Sequence, residues 1–71
     1  MTLGEFLNHL KHKSLKIEVS YLNLDRDIKL YKGTIGEYQT AVVKSDINDK
    51  SVCMIFPVKH DELEIYIKGE Q

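Results

Sequence analysis

Cys53, His60 and Asp61 have the residue types of a nucleophile, a general base and its orienting acid. Their setting argues against that chemistry. Cys53 stands among Val52, Met54 and Ile55, where a free cysteine behaves as a small hydrophobe. His60 and Asp61 belong to a polar turn that nothing directs towards the thiol. A second group, His9, Lys11, His12 and Lys13, is basic. On a helix, His9, His12 and Lys13 fall at i, i+3 and i+4 and share an exposed face. That face suits phosphate or an acidic partner, but a solvated face whose cations suit the negative end of its own helix is the favoured reading. His9 and His12 have no third ligand nearer in sequence than His60, so neither a metal nor a cofactor is expected. Glu18, Glu62 and Glu64 alternate with apolar residues and read as a solvated face rather than an acid–base pair. Asp25, Asp27, Asp46 and Asp49 lack the ligand order and glycine of a calcium loop. The expectation is a protein that is not an enzyme.

The tyrosines carry the strongest functional signal. Tyr31 and Tyr66 fall on the polar phase of two alternating segments, and Tyr38 lies in or near the connection that follows the first of these. Tyrosine on an exposed sheet face is enriched at interfaces, because it offers rigid area with a polar tip. Beside Lys29, Lys32 and Lys68, the same face is suited to stacking single-stranded bases. As plain cross-strand packing pairs they are worth about 0.2–1 kcal/mol each. Cys53 and Ile55 give the segment Val52–Val58 a second apolar side, which needs cover from elsewhere in the chain or from another molecule. The expected partner-binding residues are therefore Tyr31, Tyr66, Ile55 and Tyr38. His9, Lys11, His12 and Lys13 carry the nucleic-acid alternative.

These side chains need a frame. Thr2 and Glu5 have the spacing of a capping box. Leu3, Phe6, Leu7 and Leu10 follow at i, i+3, i+4 and i+7, which predicts a helix over about residues 2–12. Strict alternation predicts strands over about 15–22 and 28–35, joined by a polar turn at 23–27 as a hairpin. Further strands are expected over about 51–57 and 63–68, with Pro57 marking an end or a bulge. Because both of its faces are apolar, the third strand reads as central or doubly covered. Residues 36–50 read as a short helix or irregular crossover, with a strand over 39–43 as the alternative. No internal repeat or linker is apparent. One helix on a four-stranded, largely antiparallel sheet is the simplest α+β solution, with a curled, barrel-like sheet as the alternative. Leu3, Phe6, Leu7, Leu10, Ile17, Val19, Ile28, Leu30, Met54, Phe56, Leu63, Ile65 and Ile67 make the expected core.

Size sharpens the need for cover. A single domain of 71 residues buries only about 60% of the surface its unfolded chain exposes. One cysteine allows no internal disulfide, so packing or a second subunit must supply the stability. Ten basic against eleven acidic residues give a net charge of −1, without the basic excess of a dedicated nucleic-acid binder. No apolar run reaches the ~20 residues of a membrane span, and no signal peptide is evident. A cytoplasmic location is expected, with a protein partner or self-association, a homodimer included, rather than a membrane.

The layout resembles a loose group of short proteins encoded by phages and mobile elements of Gram-positive bacteria. The shared features are a capped Thr-x-x-Glu-Phe/Leu-Leu-x-x-Leu helix (Thr2, Glu5, Phe6, Leu7, Leu10), a Leu-Tyr-x-Gly segment (Leu30, Tyr31, Gly33) and a Leu-x-Ile strand after an acidic turn (Asp61, Leu63, Ile65). The resemblance implies a small accessory factor that acts by binding, and it transfers no catalytic or binding residue.

Overall fold

Two helices of this protein start on nearly the same five residues. Thr2-Leu3-Gly4-Glu5-Phe6 opens α1 (Leu3–His9), and Thr34-Ile35-Gly36-Glu37-Tyr38 opens α2 (Ile35–Gln39). In both, the threonine hydroxyl accepts from the glutamate N–H at 3.1 Å, and the glutamate carboxylate accepts from the threonine N–H at 2.9 Å. Such reciprocal caps satisfy the donors that a helix start leaves unpaired. The remaining first-turn donors of α1 are taken by the chain after α3 (Lys44–Ile47): Leu3 N–H bonds Lys50 O and Gly4 N–H bonds Asn48 O, both at 2.8 Å. A helix of seven residues is too short to persist alone in water. Here tertiary hydrogen bonds and a buried stripe hold it.

The computed structural model describes residues 1–22 and 28–69. Four strands, β1 (Lys16–Leu22), β2 (Ile28–Thr34), β3 (Val52–Lys59) and β4 (Glu62–Lys68), form one mixed sheet in the order β2-β1-β4-β3. β1–β2 and β3–β4 are antiparallel, and β1–β4 is parallel at the centre. Two hairpins thus lie side by side, and α2 and α3 carry the chain from one sheet edge to the other. All three helices contribute to the core on one face of the sheet. Leu3, Leu7, Ile35, Tyr38 and Ile47 pack there on Ile17, Val19, Ile65 and Ile67, all at most 2% exposed. Each such side chain is worth about 1.5–3 kcal/mol of transfer free energy. Among the described residues the opposite face carries no helix.

The α+β class and the helix-on-sheet layout match the expectation from sequence, and several details differ. The sheet is open, not barrel-like, with β2 and β3 as its edges. α1 stops at His9, because Leu10 turns extended (φ −91°, ψ 117°) to start the connector to β1. The crossover is helical, in line with the first reading of residues 36–50, and the alternative strand over 39–43 does not form. Pro57 does not end β3; the strand runs to Lys59 with a register shift between Pro57 and Lys59, the bulge that a residue without an N–H favours. Ile28, Met54 and Phe56 are exposed rather than core, and Phe6, Leu10, Leu30 and Leu63 are half-buried. Ile35, Tyr38 and Ile47 take core places instead. The expected turn at 23–27 lies outside the described residues.

Candidate functional site

The third strand was expected to be central or covered on both faces, and it is an uncovered edge. Among the described residues β3 pairs only with β4, except that Val52 N–H bonds Met1 O at 2.9 Å and Thr2 bridges Ser51 at the strand's start. Register fixes what each face shows. Ile55 stands opposite core residue Ile65 and so points to the helix side, yet it is 38% exposed because no helix reaches that far. Met54 and Phe56 stand opposite Tyr66 and Glu64 on the bare face, 37% and 47% exposed, and Val58 is 51% exposed. An apolar strand at an edge, uncovered on both sides, is the arrangement proteins ordinarily blunt with charge or bulges. The other edge, β2, does carry lysines, Lys29 and Lys32.

The bare face is graded across the sheet. Beside the apolar edge, Phe56 and Tyr66 meet edge to face, with ring centroids 5.9 Å apart at 81°. The Tyr66 hydroxyl donates to Glu64 Oε1 at 3.0 Å. On β1, Ser20 and Glu18 are buried by their neighbours, at 3% and 8% exposure. Glu18 is therefore no freely solvated carboxylate. Its Oε2 faces the Lys29 ammonium at 3.1 Å, an ion pair that supplies no well-aligned hydrogen bond to that oxygen. The face thus runs from cations at β2, through a shielded acidic centre, to an aromatic and aliphatic strip at β3.

The four expected binding residues do not share a surface. Tyr31 was assigned to the polar side, but it stands opposite Val19 and packs on the helix side. The cause is a register shift between Val19 and Ser20, which changes the phase of β2. Tyr31 there meets Tyr38 edge to face at 5.5 Å and 71°. Tyr38 is fully buried, and its hydroxyl donates to Asn48 Oδ1 at 3.1 Å. Burial pushes the Tyr38 phenol up to about 12. It raises that of Tyr31 as well, with the Glu37 carboxylate adding to it. Tyr66 and Ile55 remain at the β3–β4 edge, on opposite faces. Met54, Phe56 and Val58 join them there. Alternation had placed two of these in the core, and only the strand order exposes them.

The basic group is divided too. With the helix ended at His9, whose Nδ1 lies 2.7 Å from Glu5 O, no helical face joins the four residues. Lys11 and Lys13 border a groove at the α1–α2 junction, while His12 borders another with Ser14, His60 and Asp61. Cys53 and His60 lie at opposite ends of β3, about 20 Å apart at the usual strand rise, so no nucleophile–base contact exists. Among the described residues no group of three or more His, Cys, Asp or Glu side chains is placed to hold a metal, and no helix is long and apolar enough to cross a membrane. No family model, curated protein or solved structure matches this chain.

Proposed function

We propose that this protein is a non-enzymatic binding module that associates, with itself or with a protein partner, through the β3 edge. The supporting observation is the exposure of Met54, Ile55, Phe56 and Val58 on both faces of a strand whose outer side has no strand partner along most of its length. Docking on the bare face would leave Ile55 uncovered, and docking on the helix face would leave Met54 and Phe56 uncovered. A strand laid along β3 covers both faces and adds main-chain hydrogen bonds. The likeness in layout to short mobile-element proteins supports an accessory role of this kind. Together the four side chains expose on the order of 300 Å². Doubled across a symmetric contact, that area belongs to the weak, transient class of interfaces. The expected behaviour is a concentration-dependent equilibrium rather than a permanent dimer.

Sedimentation equilibrium across micromolar to millimolar protein tests self-association, with Phe56→Glu and Ile55→Lys as variants whose exposed positions leave the fold intact. The wild type should gain mass with concentration and the variants should not. For a protein partner, capture from host lysate should fail with the same variants. A wild type that stays monomeric, together with capture that is indifferent to Phe56 and Ile55, would remove the proposal.

A further inference from the structure

The open part of the β3 edge has a fixed length, and that length limits what can pair with it. Its start is occupied on both sides. Ser51 O accepts from Lys68 N–H on the β4 side, while Val52 N–H bonds Met1 O and Thr2 bridges Ser51 on the outer side. The open stretch therefore runs from Cys53 to Lys59, where β3 ends. Residues Cys53 to Val58 carry no charge, although charge is what ordinarily keeps edge strands from pairing with their own kind. An incoming strand must be apolar on both faces, to cover Ile55 on one and Met54 and Phe56 on the other. A half-buried strand, with its alternating polar face, does not meet that need. β3 itself does.

We propose that the occupant is β3 of a second copy of this chain, antiparallel, with Phe56 on the two-fold axis; the inference rests on the β3 edge being the binding surface. Directly opposed residues of an antiparallel pair share a face, so a two-fold contact of this kind centres on one residue. Centred on Ile55, the second copy would bring Val58 and Lys59 against Val52 and Ser51, where Met1 and Thr2 already lie. Centred beyond Phe56, it would shorten the overlap and bring the two Lys59 side chains together. Centred on Phe56, the whole stretch Cys53–Lys59 pairs and stops short of Met1. Phe56 then faces its own copy, Met54 lies opposite Val58, and Ile55 lies opposite Pro57. The edge-to-face pair of Phe56 and Tyr66 meets its equivalent across the axis in one continuous aromatic strip. The two Lys59 residues stand ~20 Å apart at the usual strand rise, beyond the ~10 Å over which exposed charges act. A two-fold normal to the sheet also keeps the helices of both copies on one side, so the two sheets join with one helix layer and one bare face.

Cys53 is the chain's single cysteine and is exposed, so a spin label on it reads the register in otherwise unaltered protein. At concentrations where sedimentation shows association, the two labels should be separated by ~20 Å at the usual strand rise. The signal should vanish on dilution and in Phe56→Glu. A label-free measurement uses two variants in a Cys53→Ser background. Mixed Met54→Cys and Val58→Cys proteins should form a disulfide-linked dimer under mild oxidation, at least about fivefold more than either alone. If the label itself blocks association, the cross-link decides. A separation of ~13 Å would put Ile55 on the axis and overturn the register. Association with neither the ~20 Å distance nor the selective cross-link overturns the inference, and the β3 reading then stands or falls with Phe56→Glu and Ile55→Lys. A strict monomer that captures another protein through Phe56 and Ile55 overturns the inference and keeps the β3 reading. A monomer without such capture removes both.

Discussion

Replacing Gly4 by alanine should destabilise this protein, although alanine normally improves a helix by up to about 1 kcal/mol over glycine. A Cβ at position 4 would lie 2.5 Å from Asn48 Nδ2, 2.8 Å from its Cγ and 2.9 Å from its Oδ1. Ordinary contacts begin nearly 1 Å further out, so one side must give. Asn48 is held twice: its carbonyl accepts from Gly4 N–H at 2.8 Å, and its Oδ1 accepts from the Tyr38 hydroxyl at 3.1 Å. Moving the amide breaks a hydrogen bond made by a fully buried tyrosine, which costs about 1–3 kcal/mol. After the gain in helix propensity, the net loss should be about 1–2 kcal/mol. At ~4–8 °C per kcal/mol for a domain of this size, the melting temperature should fall by about 5–15 °C. Urea and thermal unfolding followed by circular dichroism, on wild type, Gly4→Ala, Asn48→Ala and the double variant, measure this. With Asn48 truncated the obstacle is gone, so Gly4→Ala should become neutral or slightly stabilising, a coupling of about 2 kcal/mol. Equal stability of Gly4→Ala and wild type, or the same loss in both backgrounds, would refute the reasoning.

Three further outcomes follow from the core and the caps. Ile65→Ala, at a position with no exposure in the central parallel pair, should cost about 2–5 kcal/mol in urea unfolding, whereas Val42→Ala, 87% exposed, should cost almost nothing. Tyr38 holds its proton more tightly folded than unfolded, so its share of stability is complete below pH 10 and disappears as pH rises towards about 12. Alkaline titration of the phenolate band should show one late tyrosine, lost in Tyr38→Phe, and four groups ionising together in the folded protein would contradict the burial argument. The hydrogen bond from Thr2 N–H holds the Glu5 carboxyl below its ordinary value of 4.5, outweighing the opposing effect of desolvation. The stability it contributes is therefore present above that value and lost as pH falls through the lowered one. Glu5→Gln should be less stable than wild type at neutral pH, and the two melting curves should converge in acid.

Local signals in the sequence proved dependable where the chemistry is local. The Thr2–Glu5 cap, the Leu3/Leu7 stripe, and the alternation of Ile17 with Val19 and of Ile65 with Ile67 each specify an element without reference to the rest of the chain. The second cap, Thr34–Glu37, was equally legible, since it repeats the pattern of the first. Thr34 also ends β2, however, and the alternation of that strand masks the cap. The candidate binding surface was harder. Alternation places Ile55 and Tyr66 on the third and fourth strands, as the structure does, but it puts Tyr31 on the wrong face. One register shift opposite Val19 reversed it, and a bulge leaves no mark in composition.

What the chain determines by itself is a set of pieces: two capped helix starts, four alternating strands, and a strand apolar on both sides. The sequence also sets its lack of charge bias. Strand order is another matter. A doubly apolar strand suits the middle of a sheet as well as it suits an uncovered edge, and the residues of β3 do not distinguish the two. Only the helical crossover, which delivers β3 to the far side and lets β4 return beside β1, decides that β3 is the edge. The same crossover ties α2 to the connector after α1, where Ile35 N–H bonds Leu15 O and Gly36 N–H bonds Lys13 O. The candidate surface at β3 arises from contacts between segments far apart in the chain, and local propensity carries no information about such contacts.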